Sequence, residues 1–231
     1  MLVSNKNYKS IWCEGSSIKI IDQTLLPFNF KIIELKNSDD FEDAIINMKV
    51  RGAPLIGVTA LFGVANEMRV DPSEESLNQV IKKLSKTRPT AYNLFWALNE
   101  IKEFLINVPE SSRYEEGMLF AQQKSDEDIL RNKLIGSYCG EEVLKNTSKK
   151  TINILTHCNA GWLATVDYGT ALAPIFFLKE KNIDLHVYVS ETRPRNQGAF
   201  LTAWELENMK IPHTVIADNA SGLIIQKGII D

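Results

Sequence analysis

The sequence predicts an α/β protein with two domains: a mostly helical domain with a small β start over residues 1–146, and a doubly wound parallel-sheet domain over residues 151–231. Two observations support this fold class. Helical periodicity dominates the first part of the chain, whereas candidate strands and helices alternate in the second part. The polar stretch 145–150 lies where the pattern changes and is typical of a connection between domains.

The second part contains three short apolar strand candidates, each followed by a helical pattern. The strands are predicted at 152–156, 185–189 and 214–216, and the helices at 163–178, 197–209 and 220–227. This alternating order is typical of a parallel sheet with helical crossovers. Residues 228–231 resemble the beginning of a further strand, so we expect the sheet in this chain to be incomplete.

The first part contains one hairpin pattern and several amphipathic helix patterns. The predicted elements are a hairpin of 18–23 and 30–35 around Pro27, a helix capped by Ser38 with the apolar stripe Phe41, Ala44, Ile45 and Met48, a polar helix over 73–85 capped by Asp71 and Pro72, and one or two helices over 114–145. Together they predict a helical domain that follows a short β start.

Two arginines precede prolines at predicted helix starts. Pro54 suits the first helical position, and Gly52 and Ala53 before it leave backbone amides uncovered beside Arg51. Arg88 likewise precedes a proline and a long amphipathic helix. Uncovered amides and guanidinium groups are typical of a phosphate site, so both arginines are candidates for one anion. The alternatives are a plain loop before a buried helix and surface arginines at helix ends.

Composition and charge exclude several classes of function. The net charge of −3 gives no electrostatic argument for nucleic acid or for an anionic membrane, so any phosphate site must be local. The three cysteines are widely spaced, which argues against a disulfide framework and a structural zinc and fits a reducing cytoplasm. The N-terminus lacks a signal-peptide pattern, and no apolar run approaches membrane-spanning length.

The stretch from Thr151 to Thr170 places a cysteine where α/β folds bind ligands. An apolar strand ends in the small and polar run 156–161, and a helix is predicted to follow. The amino end of that helix would favour the thiolate of Cys158. The alternative is a small buried cysteine at a strand end. His157 should point to the opposite face, so a dyad with Cys158 is not expected.

Polar loops follow all three predicted strands, and in a parallel sheet such loops meet at one edge. They offer a thiol, a carboxylate, two arginines and several amides. No dinucleotide fingerprint or phosphate loop occurs, so no nucleotide cofactor is implied. The three histidines lack the spacing of metal ligands. Asp218 is a candidate site residue or, alternatively, the N-cap of the last helix.

Five blocks in this order carry a family resemblance: RGAPLIG, TRPTAYNLFWAL, LTHCNAGWLATVDYGTAL, ETRPRNQGAFLTAWEL and TVIADNASG. From about Gln23 to the last residue, the chain resembles the methylthioribose-1-phosphate isomerase family. It is also similar to the wider group, which includes ribose-1,5-bisphosphate isomerases and regulatory subunits of the exchange factor of eukaryotic translation initiation. Those subunits generally lack the cysteine motif, so Cys158 favours the enzyme branch.

The resemblance implies a helical domain joined to a Rossmann-like domain, usually in a homodimer, and the cysteine usage makes us expect it in the cytoplasm. It implies isomerisation of 5-methylthioribose 1-phosphate to 5-methylthioribulose 1-phosphate in methionine salvage, or of 5-deoxyribose 1-phosphate, without a metal or redox cofactor. By motif position, Cys158 matches the catalytic cysteine of the family. The matching substrate-binding positions are Arg51, Gly52, Ala53, Arg88 and Gln197.

One departure from the family pattern concerns the catalytic aspartate. The family pairs its cysteine with an aspartate in a Gly-Ala-Asp-Arg motif, and an Asn-Lys pair follows it. Both should lie after Asp231, so we expect a C-terminally truncated member with little activity as given. Asp218 belongs to a different motif and is not expected to take that role. The alternatives are a non-catalytic regulatory or sensing relative and an inactive remnant.

Overall fold

The computed structural model describes all 231 residues. The strands and α-helices are, in chain order, β1 (Leu2–Val3), β2 (Lys6–Asn7), β3 (Ile11–Glu14), β4 (Ser17–Ile21), β5 (Ile32–Leu35), α1 (Ser38–Ile46), α2 (Ala53–Glu67), α3 (Glu74–Ser85), α4 (Tyr92–Leu105), α5 (Arg113–Asn146), β6 (Thr151–Thr156), α6 (Ala173–Glu180), β7 (Asp184–Ser190), α7 (Ala203–Asn208), β8 (His213–Ile216) and α8 (Ser221–Gln226). This order confirms the predicted α/β class. None of the helices combines the length and apolar character needed to span a membrane.

The chain forms two compact units. The helical unit comprises residues 10–25 and 30–128, and the α/β unit comprises residues 1–9, 26–29 and 129–231. The units divide within α5, whereas the sequence pattern changes at 146. The C-terminal part of α5 packs in the α/β unit, because Gly136 and Gly140 let it approach α6 residues closely. The domain limits 1–146 and 151–231 remain a prediction.

The helical unit begins with a three-stranded antiparallel sheet in the order β3-β4-β5. The pairing of Ile20 with Ile33 in β4 and β5 confirms the predicted hairpin, and β3 adds a strand that was not predicted. Helices α1 to α4 enclose a core that includes Phe41 and Phe62, both fully buried. Helix α2 is apolar on all sides and almost wholly buried, as its small residues allow.

Several predicted helix ends in this unit are wrong. Asn37, not Ser38, caps α1, because its side chain accepts the amide proton of Asp40. Helix α1 ends at Ile46, so Met48 lies outside it, at a φ of 59°. Helix α3 is capped by the Ser73 side chain, which accepts the amide proton of Ser76. A single helix, α5, covers the region predicted as one or two helices.

The α/β unit is built on three parallel strands in the order β6-β7-β8. This topology confirms the predicted parallel sheet. Alternate residues of β7 are buried, among them Val187 and Val189, and the core of the unit also includes the fully buried Trp162 and Phe176. The segment 198–209 is helical as predicted, but it begins with a π-helical turn at Gly198–Thr202 before α7.

The predicted helix over residues 163–178 is wrong in its first half. Only a three-residue 3₁₀ turn, Trp162–Ala164, follows the cysteine loop, and α6 begins at Ala173. Tyr168 and Gly169 both adopt positive φ angles, which interrupt a helix. The intervening residues form an irregular buried loop between the sheet and α6.

Candidate active site

Cys158 lies two residues beyond the end of β6, at the carboxyl edge of the parallel sheet. Its φ of 64° is in the left-handed region, which a residue with a Cβ adopts only when its surroundings hold it there. The side chain is half-buried. His157 beside it is exposed. The structure therefore presents the thiol from an unusual backbone conformation at the edge where α/β folds bind ligands.

Two threonine hydroxyls hold the backbone of Cys158. The amide of Cys158 donates to Oγ1 of Thr192 at 2.8 Å, and Oγ1 of Thr202 donates to the carbonyl oxygen of Cys158 at 2.6 Å. The Thr192 hydroxyl in turn donates to the carbonyl oxygen of Ser190 at 3.0 Å. Both backbone polar groups of Cys158 are thus fixed by side chains that follow β7 in the chain. Sequence patterns gave no signal for either threonine.

The thiol itself contacts the predicted substrate residue Gln197. Sγ of Cys158 donates to Oε1 of Gln197 at 3.1 Å. Gln197 directly precedes the π-helical turn, whose first residue, Gly198, lies against the Ser190 carbonyl; a Cβ at Gly198 would overlap that oxygen. The absence of a side chain at Gly198 therefore lets the turn approach β7 and brings Gln197 to the thiol. Two site residues predicted separately thus lie in direct contact.

Asp218 positions the loop after β7 and is not a helix N-cap, so that alternative is wrong. Its two carboxylate oxygens accept the amide protons of Thr192 and Arg193, each at 2.8 Å. These backbone N–H groups, that of Arg193 first, hold the pKa of the Asp218 carboxyl below its usual value; nearby His157 and Arg193 charges act in the same direction. Asp218 thereby fixes Thr192, which fixes Cys158.

The predicted helix dipole at Cys158 is absent. The 3₁₀ turn that follows is only three residues long, so it supplies no macrodipole comparable with that of an α-helix. Instead, Cys158 is held by three hydrogen bonds: its amide donates to Thr192, its carbonyl oxygen accepts from Thr202, and its thiol donates to Gln197. The site can hold a thiol in a fixed direction, as a group that moves a proton or acts as a nucleophile must be held.

The other predicted substrate residues lie in the helical unit. Gly52, at a φ of 88°, is the N-cap of α2, and no side chain caps the helix there. Helix α2 begins at Ala53, so Pro54 is its second residue, one position after the first helical position that was predicted for it. Ala53 is exposed, whereas Arg51 is only 6% exposed. The uncapped amides at the start of α2 are suited to an anion.

Arg88 is the first residue of a turn. The carbonyl oxygen of Arg88 accepts the amide proton of Ala91 at 3.0 Å and so closes this turn. Helix α4 begins at Tyr92, so the proline after Arg88 does not start the helix, contrary to the prediction. The first turns of α2 and α4 meet, because a Cβ at Gly57 would lie 3.2 Å from the carbonyl oxygen of Asn93. The helical unit therefore brings the first turns of α2 and α4 into contact, with Arg51 and Arg88 a few residues before them in the chain.

No group of three or more His, Cys, Asp or Glu side chains in the structure has an arrangement that could hold a metal ion. All three cysteines are free thiols. The functional groups around Cys158 are hydroxyls, an amide and the carboxylate of Asp218, whereas the start of α2 offers uncapped backbone amides.

Comparisons with known proteins agree with this architecture. The methylthioribose-1-phosphate isomerase of Brucella anthropi is 51% identical over all of this chain, which spans about 65% of that relative's length. The structure of 5-methylthioribose 1-phosphate isomerase from Pyrococcus horikoshii is 36% identical, with a TM-score of 0.87 over 98% of this chain and 64% of that one. The structure of translation initiation factor eIF-2B, subunit delta, from A. fulgidus is 37% identical, with a TM-score of 0.86 over 97% and 66%.

The family model described as the Initiation factor 2 subunit family matches residues 49–231. That range includes Arg51, the helix α2 that follows it, the whole parallel sheet and the cysteine loop. The chain therefore belongs to the Initiation factor 2 subunit family.

Proposed function

We propose that this chain forms the larger part of an isomerase that converts 5-methylthioribose 1-phosphate into 5-methylthioribulose 1-phosphate, a reaction of methionine salvage, with 5-deoxyribose 1-phosphate as a second substrate. The curated relative with 51% identity carries the name of that activity. One structural observation carries the proposal: Cys158 is held at the carboxyl edge of the sheet with its thiol directed at Gln197. By the resemblance, the regulatory subunits of the wider group generally lack this cysteine motif, so Cys158 favours the enzyme branch.

The reaction requires ring opening of a glycosyl phosphate before the carbonyl can move. The bond between C1 and the ring oxygen breaks, and the ring oxygen takes up a proton. A hydrogen then moves from C2 to C1, and the hydroxyl group on C2 loses its proton as C2 becomes the ketone carbon. This loss offsets the proton taken up by the ring oxygen, so the composition is unchanged. We assign the transfer between C2 and C1 to Cys158, as a general acid–base group. The resemblance assigns the ring-opening acid to an aspartate in a segment that follows residue 231 in the family.

The proposal assigns phosphate binding to Arg51, Gly52, Ala53 and Arg88. The uncapped start of α2 offers backbone amides, and the adjoining start of α4 follows Arg88. Guanidinium groups and helix N-terminal amides both favour phosphate. Gln197, through its contact with the thiol, would orient both Cys158 and the sugar hydroxyl groups. No step of this assignment requires a metal or a redox cofactor.

Turnover tests the proposal in a fusion that places the family's C-terminal segment, taken from the Brucella anthropi relative, after Asp231. Because a general acid–base group contributes about 100- to 10,000-fold, we expect Cys158→Ala to lower kcat by at least about 100-fold. Cys139→Ala, which changes an exposed cysteine on α5, is the matched control and should leave turnover unchanged. Equal turnover in the parent and in Cys158→Ala would contradict the assignment.

The same fusion distinguishes two ways of moving the hydrogen. Transfer as a proton through a thiol exchanges with solvent, so in deuterium oxide the product should carry deuterium at C1. Transfer as a hydride would retain the substrate hydrogen. We expect incorporation, because the proton that Cys158 takes from C2 can exchange with water while the enolate intermediate exists, before a proton is delivered to C1.

The alternative function is a non-catalytic sensing or regulatory role, as in translation initiation factor subunits. One observation favours it: the A. fulgidus initiation factor structure is as similar to this chain as the Pyrococcus horikoshii isomerase structure, with TM-scores of 0.86 and 0.87. The turnover assay separates the two functions. Tight binding of a phosphosugar without turnover in the fusion would favour the sensing role.

We also propose that the protein is a cytoplasmic homodimer, as the resemblance implies. A catalytic thiol must stay reduced, which the cytoplasm ensures. Light scattering of the purified protein measures the assembly directly. A mass equal to one copy at micromolar concentration would contradict the dimer without affecting the assignment of Cys158.

A further inference from the structure

A fully buried carboxylate lies behind the cysteine loop. Glu205, on α7, is 0% exposed. Its Oε2 accepts the amide proton of Trp162 at 3.0 Å, and its Oε1 accepts that of Leu163 at 3.1 Å and one from the side-chain amide of Asn159 at 2.9 Å. Glu205 therefore caps the 3₁₀ turn of the loop from a different element of the fold.

Hydrogen bonds connect this carboxylate to Cys158 through Asn159, which donates to Glu205 on one side and to Thr202 on the other. The other Nδ2 proton of Asn159 goes to Oγ1 of Thr202 at 3.1 Å, and the Thr202 hydroxyl donates its one proton to the carbonyl oxygen of Cys158 at 2.6 Å. Asn159 has two amide protons, and both are used in this way. This series of hydrogen bonds requires a side chain at position 205 that accepts hydrogen bonds and donates none.

The loop is shaped around this carboxylate. A Cβ at Gly161 would overlap the carboxylate of Glu205, and a Cβ at Gly169 would overlap the backbone of Gly161. Burying a carboxylate is costly unless several donors converge on it, and an apolar residue of similar size often stabilises a fold at least as well. Stability alone is therefore a poor explanation for a carboxylate at this position.

We propose that Glu205 is a positioning residue for Cys158. Through Asn159 and Thr202 it holds the carbonyl of Cys158, and through the amides of Trp162 and Leu163 it fixes the loop that follows. Together with the hydrogen bond that the Cys158 amide donates to Thr192, this keeps Cys158 in its left-handed conformation with the thiol at Gln197. The role as an aid to catalysis rests on the proposed function, but the positioning itself does not.

Glu205→Gln tests the proposal with almost no change in volume. The glutamine places an N–H₂ group where a donor already points, so at least one bond in the chain is lost. The measurement is the rate of iodoacetamide alkylation of each cysteine, resolved by mass spectrometry, with Cys13 and Cys139 as internal references. Glu207→Gln, an exposed carboxylate two residues further along α7, is the matched control.

We expect Cys158 to react about fivefold faster in Glu205→Gln relative to both references, the factor that corresponds to one lost hydrogen bond. Hydrogen exchange at Trp162 and Leu163 should accelerate in the same variant. Glu207→Gln should change neither quantity. A lower melting temperature with an unchanged relative rate at Cys158 would mean that Glu205 only stabilises the fold, and would overturn the proposal.

Thr202→Val provides a second route, because it removes the hydroxyl with little change in shape. It should raise the relative rate at Cys158 by a similar factor, and the double variant should react no faster than either single one, since both break the same chain. If Glu205→Gln fails to fold, Thr202→Val decides alone: an unchanged rate overturns the proposal. Alkylation needs no substrate, so loss of the proposed function would appear separately, as a lack of turnover in the parent.

Discussion

The thiol of Cys158 donates a hydrogen bond to the side-chain oxygen of Gln197, with Sγ and Oε1 3.1 Å apart. This contact joins the loop after β6 to the loop after β7, across 39 positions of the chain. The contact gives the thiol a defined direction. Its partner, Gln197, directly precedes a π-helical turn, and such turns are frequent at functional sites.

The first prediction concerns this contact. Gln197→Ala removes the acceptor, so the thiol should become free to move and its alkylation by iodoacetamide should accelerate about three- to tenfold, as expected for one hydrogen bond. Cys139 serves as the reference within each sample. Gln226→Ala, at the exposed end of α8, is the control and should have no effect. An unchanged rate at Cys158 would contradict the contact.

A second prediction follows from the lowered pKa of Asp218. Because its pKa is lower in the folded state than in the unfolded chain, its stabilising effect is fully present above the unfolded value of about 3.9 and is lost as the pH falls through the folded value. Asp218→Asn should therefore lower the melting temperature at pH 7 and reduce the loss of stability between about pH 4 and pH 2.

Hydrogen exchange of individual backbone amides shows whether the lost stability comes from the hydrogen bonds to Asp218. The amides of Thr192 and Arg193 donate to Asp218, so both should exchange faster in Asp218→Asn. Glu207→Gln removes an exposed carboxylate from the same unit and should leave these amides unchanged. If the two amides keep their protection in Asp218→Asn, the loop is held by other contacts.

The third prediction concerns the close approach of the π-helical turn to β7. Gly198→Ala introduces a Cβ that would overlap the Ser190 carbonyl, so it should destabilise the protein by roughly 1–3 kcal/mol, as overpacking does. Gly222→Ala is a well-matched control, because a Cβ there meets no atom within 4 Å and the residue lies in α8. It should stabilise the protein by about 0.5–1 kcal/mol.

Urea unfolding measures the free energy of unfolding of both alanine variants and of the parent. Opposite signs are expected for the two substitutions, although each adds one methyl group. If Gly198→Ala proves as stable as the parent, the turn does not lie against the strand as described. The close approach at Gly198 would then not explain why Gln197 contacts the thiol.

The fourth prediction concerns the anion site of the helical unit. Arg88→Ala should weaken binding of methylthioribose 1-phosphate by about tenfold or more, since hydrogen bonds to charged groups are worth about 1.5–3 kcal/mol. Arg88 is preferred to Arg51 because Arg51 is almost fully buried, so its removal would also disturb the fold. Lys86→Ala, an exposed cation two residues earlier, is the control. Titration calorimetry gives both affinities, and equal values would exclude Arg88 from the phosphate site.

Local patterns predicted the elements of the sheet well and the cysteine loop poorly. Strands β6 and β7 are short, apolar and bounded by polar loops, so their period and length identify them. The residues after Cys158 are also apolar, and they were predicted to continue as a helix. Their burial in an irregular loop depends on the carboxylate of Glu205 and on positive φ angles at Tyr168 and Gly169, which no local period indicates.

Capping was similarly uncertain where several polar residues are adjacent. Asn37 and Ser38 are both good N-caps, and the choice between them depends on which side chain reaches the amide of Asp40. Asp218 looked like a cap for the same reason. In the structure its carboxylate instead accepts hydrogen bonds from two backbone amides, 26 and 25 positions earlier in the chain. Sequence spacing cannot show that these distant amides, and not those of the nearby helix, are its partners.

The sequence by itself determined the fold class, the alternation of strands and helices in the second part, and the candidate residues Cys158, Gln197, Arg51 and Arg88, because periodicity and motif blocks are local properties of the chain. Only the tertiary structure decided how Cys158 is held. Its amide and carbonyl bond to hydroxyls of Thr192 and Thr202, 34 and 44 positions away, and such pairs form only when the strands align and bring their loops to one edge.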